Sequence, residues 1–385
     1  MAGGRGVAAG GANLLALRSH NAALVLDLLR RAGAAGISRL ELAERTGLTP
    51  QAVSKITARL RERGLAAEAG RRASTGGKPR TVLRLVPEAG HAVGAHVDRD
   101  EVRAVLVDLN GTVAGERRRP LDLGAGADAV VEGVAAQVEG LVREVLGAAS
   151  LRAASAASLV GVGVALPGPL DHRRGVLHRV TGFPAWDGFP LRDALGRRLG
   201  VPVVVDKDTN AAALALAVSG GGAGDGEGGA GSFAYLHLGT GLGAGLVIGG
   251  SVHRGARTGA GEFGHQVIQL DGPPCECGDR GCVEALCLAA VERGDVEEAA
   301  RVLGAGAANL VGLLDIDLVL LGGRTVAAAP EVFVAGVGER VAARARREGV
   351  PGGAVPVRVV PAGARVVAEG AAQLLLAPVF GRGDG

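Results

Sequence analysis

The spacing of apolar residues changes along this chain, and the changes mark its parts. From Asn13 to Arg31, Leu17, Leu24, Leu28 and Leu29 recur at mostly helical spacing. The run from Ile37 to Leu65, ISRLELAERTGLTPQAVSKITARLRERGL, carries two helix-start signatures. Ser38 with Glu41 forms a capping-box pattern at the start of a short helix that ends before Gly47. Thr49 caps a second helix, with Pro50 at its first position, where a missing N–H costs nothing. Two short helices joined by a Gly-containing turn predict a helix-turn-helix. Leu65 to Ala69 and Val82 to Val86 predict two strands flanking GRRASTGGKPR. From Gly94 onward, apolar runs at Val102 to Val107, Leu159 to Leu166, Val201 to Val205, Phe233 to Leu238 and Leu318 to Leu321 alternate with helical stretches, which predicts an α/β body. Ser219 to Gly231, SGGGAGDGEGGAG, is a low-complexity loop between a helix and a strand.

The second helix sorts by face. Val53, Ile56 and Leu60 lie on one side, while Gln51, Ser54, Lys55 and Ala58 lie on the other, as suits a helix seated in a major groove. Ser38, Arg39, Thr49, Ala52 and Arg59 border that face and complete its candidate DNA-contacting set. Arg71, Arg72, Lys78 and Arg80 form a basic wing suited to phosphates or a minor groove. Charge supports the same picture: residues 1 to 85 carry 15 Lys+Arg against 5 Asp+Glu, and the remainder 27 against 34, so a head of +10 precedes a body of −7. A helical hairpin alone also suits a protein-interaction module, and a basic face alone can simply be solvated. The groove-facing helix and the wing together point to double-stranded DNA.

With 385 residues and 48% hydrophobic content, the chain can fill two or three folded domains. Only 2% is aromatic, so Val, Leu and Ala must fill the core, and 66 glycines predict many tight turns and close backbone approaches. Met1 to Leu17 lacks the continuous apolar core of a secretory signal. The uncharged stretch from Gly228 to His253 is glycine-rich and holds two histidines, so it reads as buried strands and turns and not as a membrane span. All four cysteines fall between Cys275 and Cys287, too clustered for a disulfide framework. A cytoplasmic protein with no membrane partner is expected.

That cluster carries the strongest chemical signal. His265 precedes CECGDRGC, in which Cys275, Cys277 and Cys282 supply three thiolates, enough with one imidazole for a closed tetrahedral zinc site. No position stays open for water, so the zinc is expected to be structural. Cys287 is left over, and reads as a small buried residue. A second signal is a set of polar groups beside glycine turns: LPGPLD with Pro167 and Gly168, DKDTN with Lys207 and Asp208, GTGLGAG from Gly239 to Gly245, and GEFGH with Glu262 and His265. Each borders a predicted strand, where α/β folds place their ligands. Asp208, Glu262, Glu284 and His265 together suit the hydroxyls of a polyol.

In this order, SRLELAERTGLTPQAVSKITARLRERGL, the GGKP linker, GVGVALPGPLD, FPAWDGFPL, DKDTNAAALA, LGTGLGAGL, GEFGHQ, CECGDRGCVE and GARVVAEGAA resemble the ROK family of bacterial repressors, open reading frames and kinases, in particular its repressor branch. The resemblance implies an actin-like, sugar-kinase (ribonuclease H-like) α/β body in two lobes, preceded by an α+β winged helix-turn-helix. The head would span residues 1–86, with a wing and linker at 70–80, and the body 87–385. Lobe one would cover about 87–205 plus a C-terminal helix at about 365–380, and lobe two about 206–364 with the zinc motif. The resemblance puts Asp208 at the catalytic-base position of the kinases, and Glu262 and Glu284 where sugar hydroxyls are held. It lets His265 serve zinc with one nitrogen and sugar with the other.

Two departures from the family pattern separate regulator from kinase. Family kinases open with an Asp-Gly-Gly-Thr-like turn that approaches ATP phosphates; here GAHVDRDEV places Arg99, Asp100 and Glu101 after Asp98, adding bulk and carboxylates where phosphate would sit. Lys207 stands where the family usually has an Asn that touches the sugar. The expectation is a non-enzymatic, sugar-responsive repressor that binds operator DNA as a homodimer or homotetramer. A sugar kinase with an appended DNA-binding head, or a regulator that has lost its sugar response, remain the alternatives.

Overall fold

The computed structural model describes residues 20–72, 80–180, 183–220, 231–349, 353–360 and 363–382. The head opens with helix His20–Ala32; residues 13–19 of the expected helical stretch lie outside the described residues. The next helix, Arg39–Thr46, starts on the expected capping box. Ser38 Oγ accepts from Glu41 N at 3.3 Å, and Ser38 N donates to Glu41 Oε2 at 2.8 Å. Helix Pro50–Glu62 follows, capped by Thr49, whose Oγ1 accepts from Ala52 N at 3.2 Å. The two wing strands run further than the apolar pattern suggested, Ala66–Arg72 against Arg80–Leu85, because antiparallel pairing continues through polar residues to Arg72 opposite Arg80. Ile37–Ser38 adds a short third strand on the outer side of Arg80–Leu85.

The body holds two five-stranded sheets of the same plan. In the first, Leu159–Leu166 and Val203–Lys207 add in parallel beyond His91–Val97, which begins an antiparallel meander with Glu101–Asp108 and Val113–Pro120. In the second, Leu318–Gly322 and Val357–Val359 add in parallel beyond Phe233–Leu238, which begins a meander with Leu242–Ile248 and Ser251–Val252. Repetition of one topology gives two lobes.

Between the sheets lie helices Asp208–Ser219 and Val366–Leu376. Their apolar residues share a core with Phe233, Tyr235, Leu318 and Leu320 of the second sheet and Ala165 of the first. The two helices touch backbone to backbone: a Cβ on Gly370 would fall 1.8 Å from the carbonyl oxygen of Ala211. The stretch Gly363–Phe380 is long and apolar enough to cross a membrane by length and composition, but 67% of it is buried inside this fold.

With few aromatics, the core is built from Val, Leu and Ala, as the composition requires. Trp186 is an exception. It is buried beside Phe189 at 5.3 Å, and its indole N–H donates to Leu123 O at 3.0 Å. The head is not a separate core. Val25, Leu26 and Leu29 pack in one cluster with Leu42, Val53 and Leu60 of the helix-turn-helix and with Val107, Leu375 and Phe380 of the body.

Candidate functional site

Helix Pro50–Glu62 buries Val53, Thr57 and Leu60 and leaves Gln51, Ser54, Lys55, Ala58 and Arg59 exposed. Ala52 and Ile56 are half-buried, and Arg39 and Thr49 are exposed nearby. Ser38 is only 3% exposed, and its hydroxyl accepts the capping-box bond. Arg71 and Arg80 are exposed on the paired wing strands, and Arg72 lies on the same strand as Arg71. Lys78 lies outside the described residues.

Six separated segments build the cleft. Its walls include Pro167, Gly168, Lys207, Asp208, Glu262, His265 and Glu284, together with Asp98, Arg99, Thr209, His237, Thr240 and Gly241. Lys207 ends a buried strand and Asp208 begins the following helix, so strand geometry delivers both to the opening. Lys207 is 3% exposed, and its ammonium donates to Ala260 O at 2.6 Å and pairs with Glu262 Oε1 at 2.9 Å. Its methylenes fill the space beside Gly168, where a Cβ would meet Lys207 Cδ at 2.7 Å. The lysine therefore neutralises one cleft carboxylate and occupies part of the cleft. Glu284 is buried, with Oε2 accepting from Leu242 N at 2.7 Å. Behind Lys207, Asp206 Oδ1 accepts from Lys207 N at 2.7 Å and Asn210 Nδ2 at 2.9 Å, while Asp206 Oδ2 pairs with Arg254 at 2.6 Å. Asp206 and Arg254 are both buried.

His237 escaped the sequence reading. A histidine inside the apolar strand FAYLHL was its signal. The buried Tyr235 hydroxyl lies 2.8 Å from His237 Nδ1. Donation by that hydroxyl leaves Nε2 carrying the proton at the cleft wall, a hydrogen-bond donor among carboxylates. Burial pushes the Tyr235 phenol well above its ordinary range, so it stays protonated.

The last two glycines of GTGLGAG also have a packing role: Gly243 and Gly245 lie in strand Leu242–Ile248, and a Cβ on Gly245 would fall 2.0 Å from Thr209 O. The turn after His91–Val97 is held across the cleft. Arg324, which follows Gly322 and Gly323, pairs with Asp98 Oδ2 and Asp100 Oδ1, each at 2.7 Å. Thr240 Oγ1 donates to Asp98 Oδ1 at 3.2 Å. Arg99 approaches Glu276 at 3.6 Å and lies over Phe183 at 5.5 Å. Burial alone would raise the Asp98 carboxyl, but His96 and the Arg324 hydrogen bond outweigh it and hold it below its ordinary range. The Arg324 hydrogen bond lowers Asp100 likewise. A carboxyl lowered on folding contributes its stability above its unfolded pKa and loses it as pH falls through the folded value. The radius of gyration by small-angle scattering should thus hold from pH 7 to about 4.5 and grow only below about 4. Growth already between pH 7 and 5 would show that other groups keep the lobes together.

Beside the cleft, ligand atoms of His265, Cys275, Cys277 and Cys282 all lie within 4.8 Å of one another. Cys277 Sγ is 3.7 Å from Cys282 Sγ, and Cys275 Sγ is 3.7 Å from His265 Nδ1. A tetrahedral ion with metal–sulfur bonds of about 2.3 Å and metal–nitrogen bonds of about 2.1 Å gives edges of about 3.8 and 3.6 Å. The donor set therefore fits a metal ion. His265 also borders the cleft, so Nδ1 faces the thiols while the ring edge reaches the ligand space. Cys287 stands apart, fully buried, with its thiol directed to Ala299 O at 3.5 Å.

A winged helix-turn-helix on a two-lobed, sugar-kinase-like body defines the class of this protein. The chain belongs to the ROK family, whose model matches residues 93–293, and a winged helix-turn-helix DNA-binding model matches residues 24–66. It is 29% identical over 248 residues to the xylose repressor of Bacillus subtilis, a match covering 64% of this chain and 61% of that repressor. The match thus spans under two thirds of the relative's length. Among solved structures, a ROK hexokinase from Thermus thermophilus is 32% identical, with a TM-score of 0.56 over 73% of this chain and 96% of that one. A ROK family transcriptional regulator, homologous to the E. coli MLC protein, shares the fold over 94% of this chain and 96% of its own, with a TM-score of 0.70 at 20% identity.

Proposed function

We propose that this chain is a sugar-responsive transcriptional repressor that reads operator DNA with helix Pro50–Glu62 and its wing, and senses a monosaccharide or derivative in the cleft. The observation that carries the reading is the exposed Gln51, Ser54 and Lys55 face of a doubly capped helix packed against a body whose cleft is lined with carboxylates. The similarity to a repressor of sugar utilisation supports it. Asp208, Glu262 and Glu284 accept hydrogen bonds from ligand hydroxyls, His237 and His265 donate, and Pro167 and Gly168 shape the rim. Lys207 restricts the ligand to one that tolerates or displaces its pair with Glu262. Zinc is held by His265, Cys275, Cys277 and Cys282, where it supplies a structural cross-link. The protein works in the cytoplasm as a homodimer or homotetramer.

The body acts as a sensor and not as an enzyme. Arg324, Asp98 and Asp100 form an ion cluster beside the turn that carries phosphate in kinases. The likeness to a hexokinase and Asp208 in the cleft favour a second reading, an active sugar kinase. Sugar-dependent ATP turnover at ordinary enzyme rates would establish it in place of the first.

Genome-wide mapping of bound sites, with and without candidate sugars, tests the proposal. Bound operators that empty when one sugar is added are the expected result. On the operator so found, Gln51→Ala and Lys55→Ala should each weaken specific binding by about 1 to 3 kcal/mol. Footprints unchanged in both variants would remove this helix from the groove.

A further inference from the structure

Cleft and head meet through the last residues described. Asp208, in the cleft, opens helix Asp208–Ser219, and helix Val366–Leu376 lies in backbone contact with it at Gly370. The chain then passes through Ala377–Phe380 and turns at Gly381, which brings Arg382 back to the far end of the cleft helix. There Arg382 Nη1 donates to Val218 O at 3.3 Å, a terminal carbonyl with no partner within its own helix. The same guanidinium reaches the head: Arg382 Nε pairs with Asp27 Oδ1 at 3.3 Å. Asp27 is only 8% exposed and also holds Arg30 at 3.0 Å and Arg31 at 2.7 Å. Arg30 in turn lies over the Phe380 ring at 4.6 Å. One side chain thus touches the helix that begins in the cleft and the helix that shares a core with Leu42, Val53 and Leu60 of the helix-turn-helix.

We propose that Arg382, seated between Val218 and Asp27, is the positioning residue through which a change in the cleft alters the head's hold on DNA. The inference rests on the functions proposed above for cleft and head. A twelve-residue helix is stiff along its axis and about 18 Å long. A ligand that moves Asp208 therefore moves Val218, and the guanidinium bonded to both sides passes that motion to Asp27. Asp27 is in turn fixed to its own helix by Arg30 and Arg31, so a pull on its carboxylate is carried into that helix. The head helix follows.

Full-length protein and an operator duplex test this with D-xylose, D-glucose and N-acetylglucosamine as probes. In Arg382→Ala, operator affinity without sugar should stay within about two-fold of wild type. Calorimetric sugar affinity in the absence of DNA should not change. The sugar-induced change in operator affinity, about 5- to 150-fold in wild type, should collapse to under about two-fold, and Arg382→Lys should restore part of it. A sugar response that persists in Arg382→Ala overturns the proposal. If none of the three sugars changes wild-type affinity, the sugar reading falls, and amide exchange judges Arg382 separately. Lys207→Gln should shift protection in helix His20–Ala32, and the shift should vanish in Lys207→Gln/Arg382→Ala. No shift, or a shift that survives the second change, overturns the inference.

Discussion

Cys277→Ser is expected to release the metal and to destabilise the body by at least about 4 kcal/mol, far more than its exposed position would suggest. An exposed thiol with no ligand role exchanges for a hydroxyl at a cost within about 0.5 kcal/mol, so the size of the effect is diagnostic. Structural metal sites hold loops that have few apolar contacts of their own, and the segment from Gln269 to Gly281 buries only two glycines, Gly272 and Gly281. Metal analysis should give about one zinc per chain in wild type and in Cys287→Ser, and much less in Cys277→Ser. Metal-free protein with the unfolding midpoint of the loaded form would end the zinc assignment.

Asp206→Ala should cost about 3 to 5 kcal/mol, the range for breaking a buried ion pair by removing one partner. Its carboxylate, 1% exposed, carries Arg254, Asn210 and the Lys207 amide at once, and alanine takes one acceptor from each of the three. The loss should appear in urea unfolding. The Lys207 and Asp208 positions should also loosen, weakening any sugar that wild type binds. A stability change below about 1 kcal/mol would show that water or another group takes over the acceptor role.

The head was legible because its signals are local. Ser38 with Glu41 and Thr49 with Pro50 place two helices within a few residues of sequence, and the structure puts both caps there. The cleft was legible in its parts, since each glycine turn sits at the end of a strand and strand ends converge. What the residues could not reveal was pairing over distance. Arg324 meets Asp98 and Asp100 from the other end of the body, and Lys207 turns to Glu262 in place of open solvent. One strand was disguised. Val113–Pro120 looks polar because it is an edge strand with much of its surface in water.

The ties around the cleft have a kinetic meaning. Lys207 to Glu262 lies in the cleft wall, and Arg324 to Asp98 and Asp100 holds the turn beside it, so a ligand that displaces either tie has to wait for that tie to open. For such a ligand, entry is paced by the opening of the protein and not by diffusion, and once the ties re-form the occupant dwells. A cell containing such a protein would respond to how long its ligand has been present, with brief pulses passing unregistered.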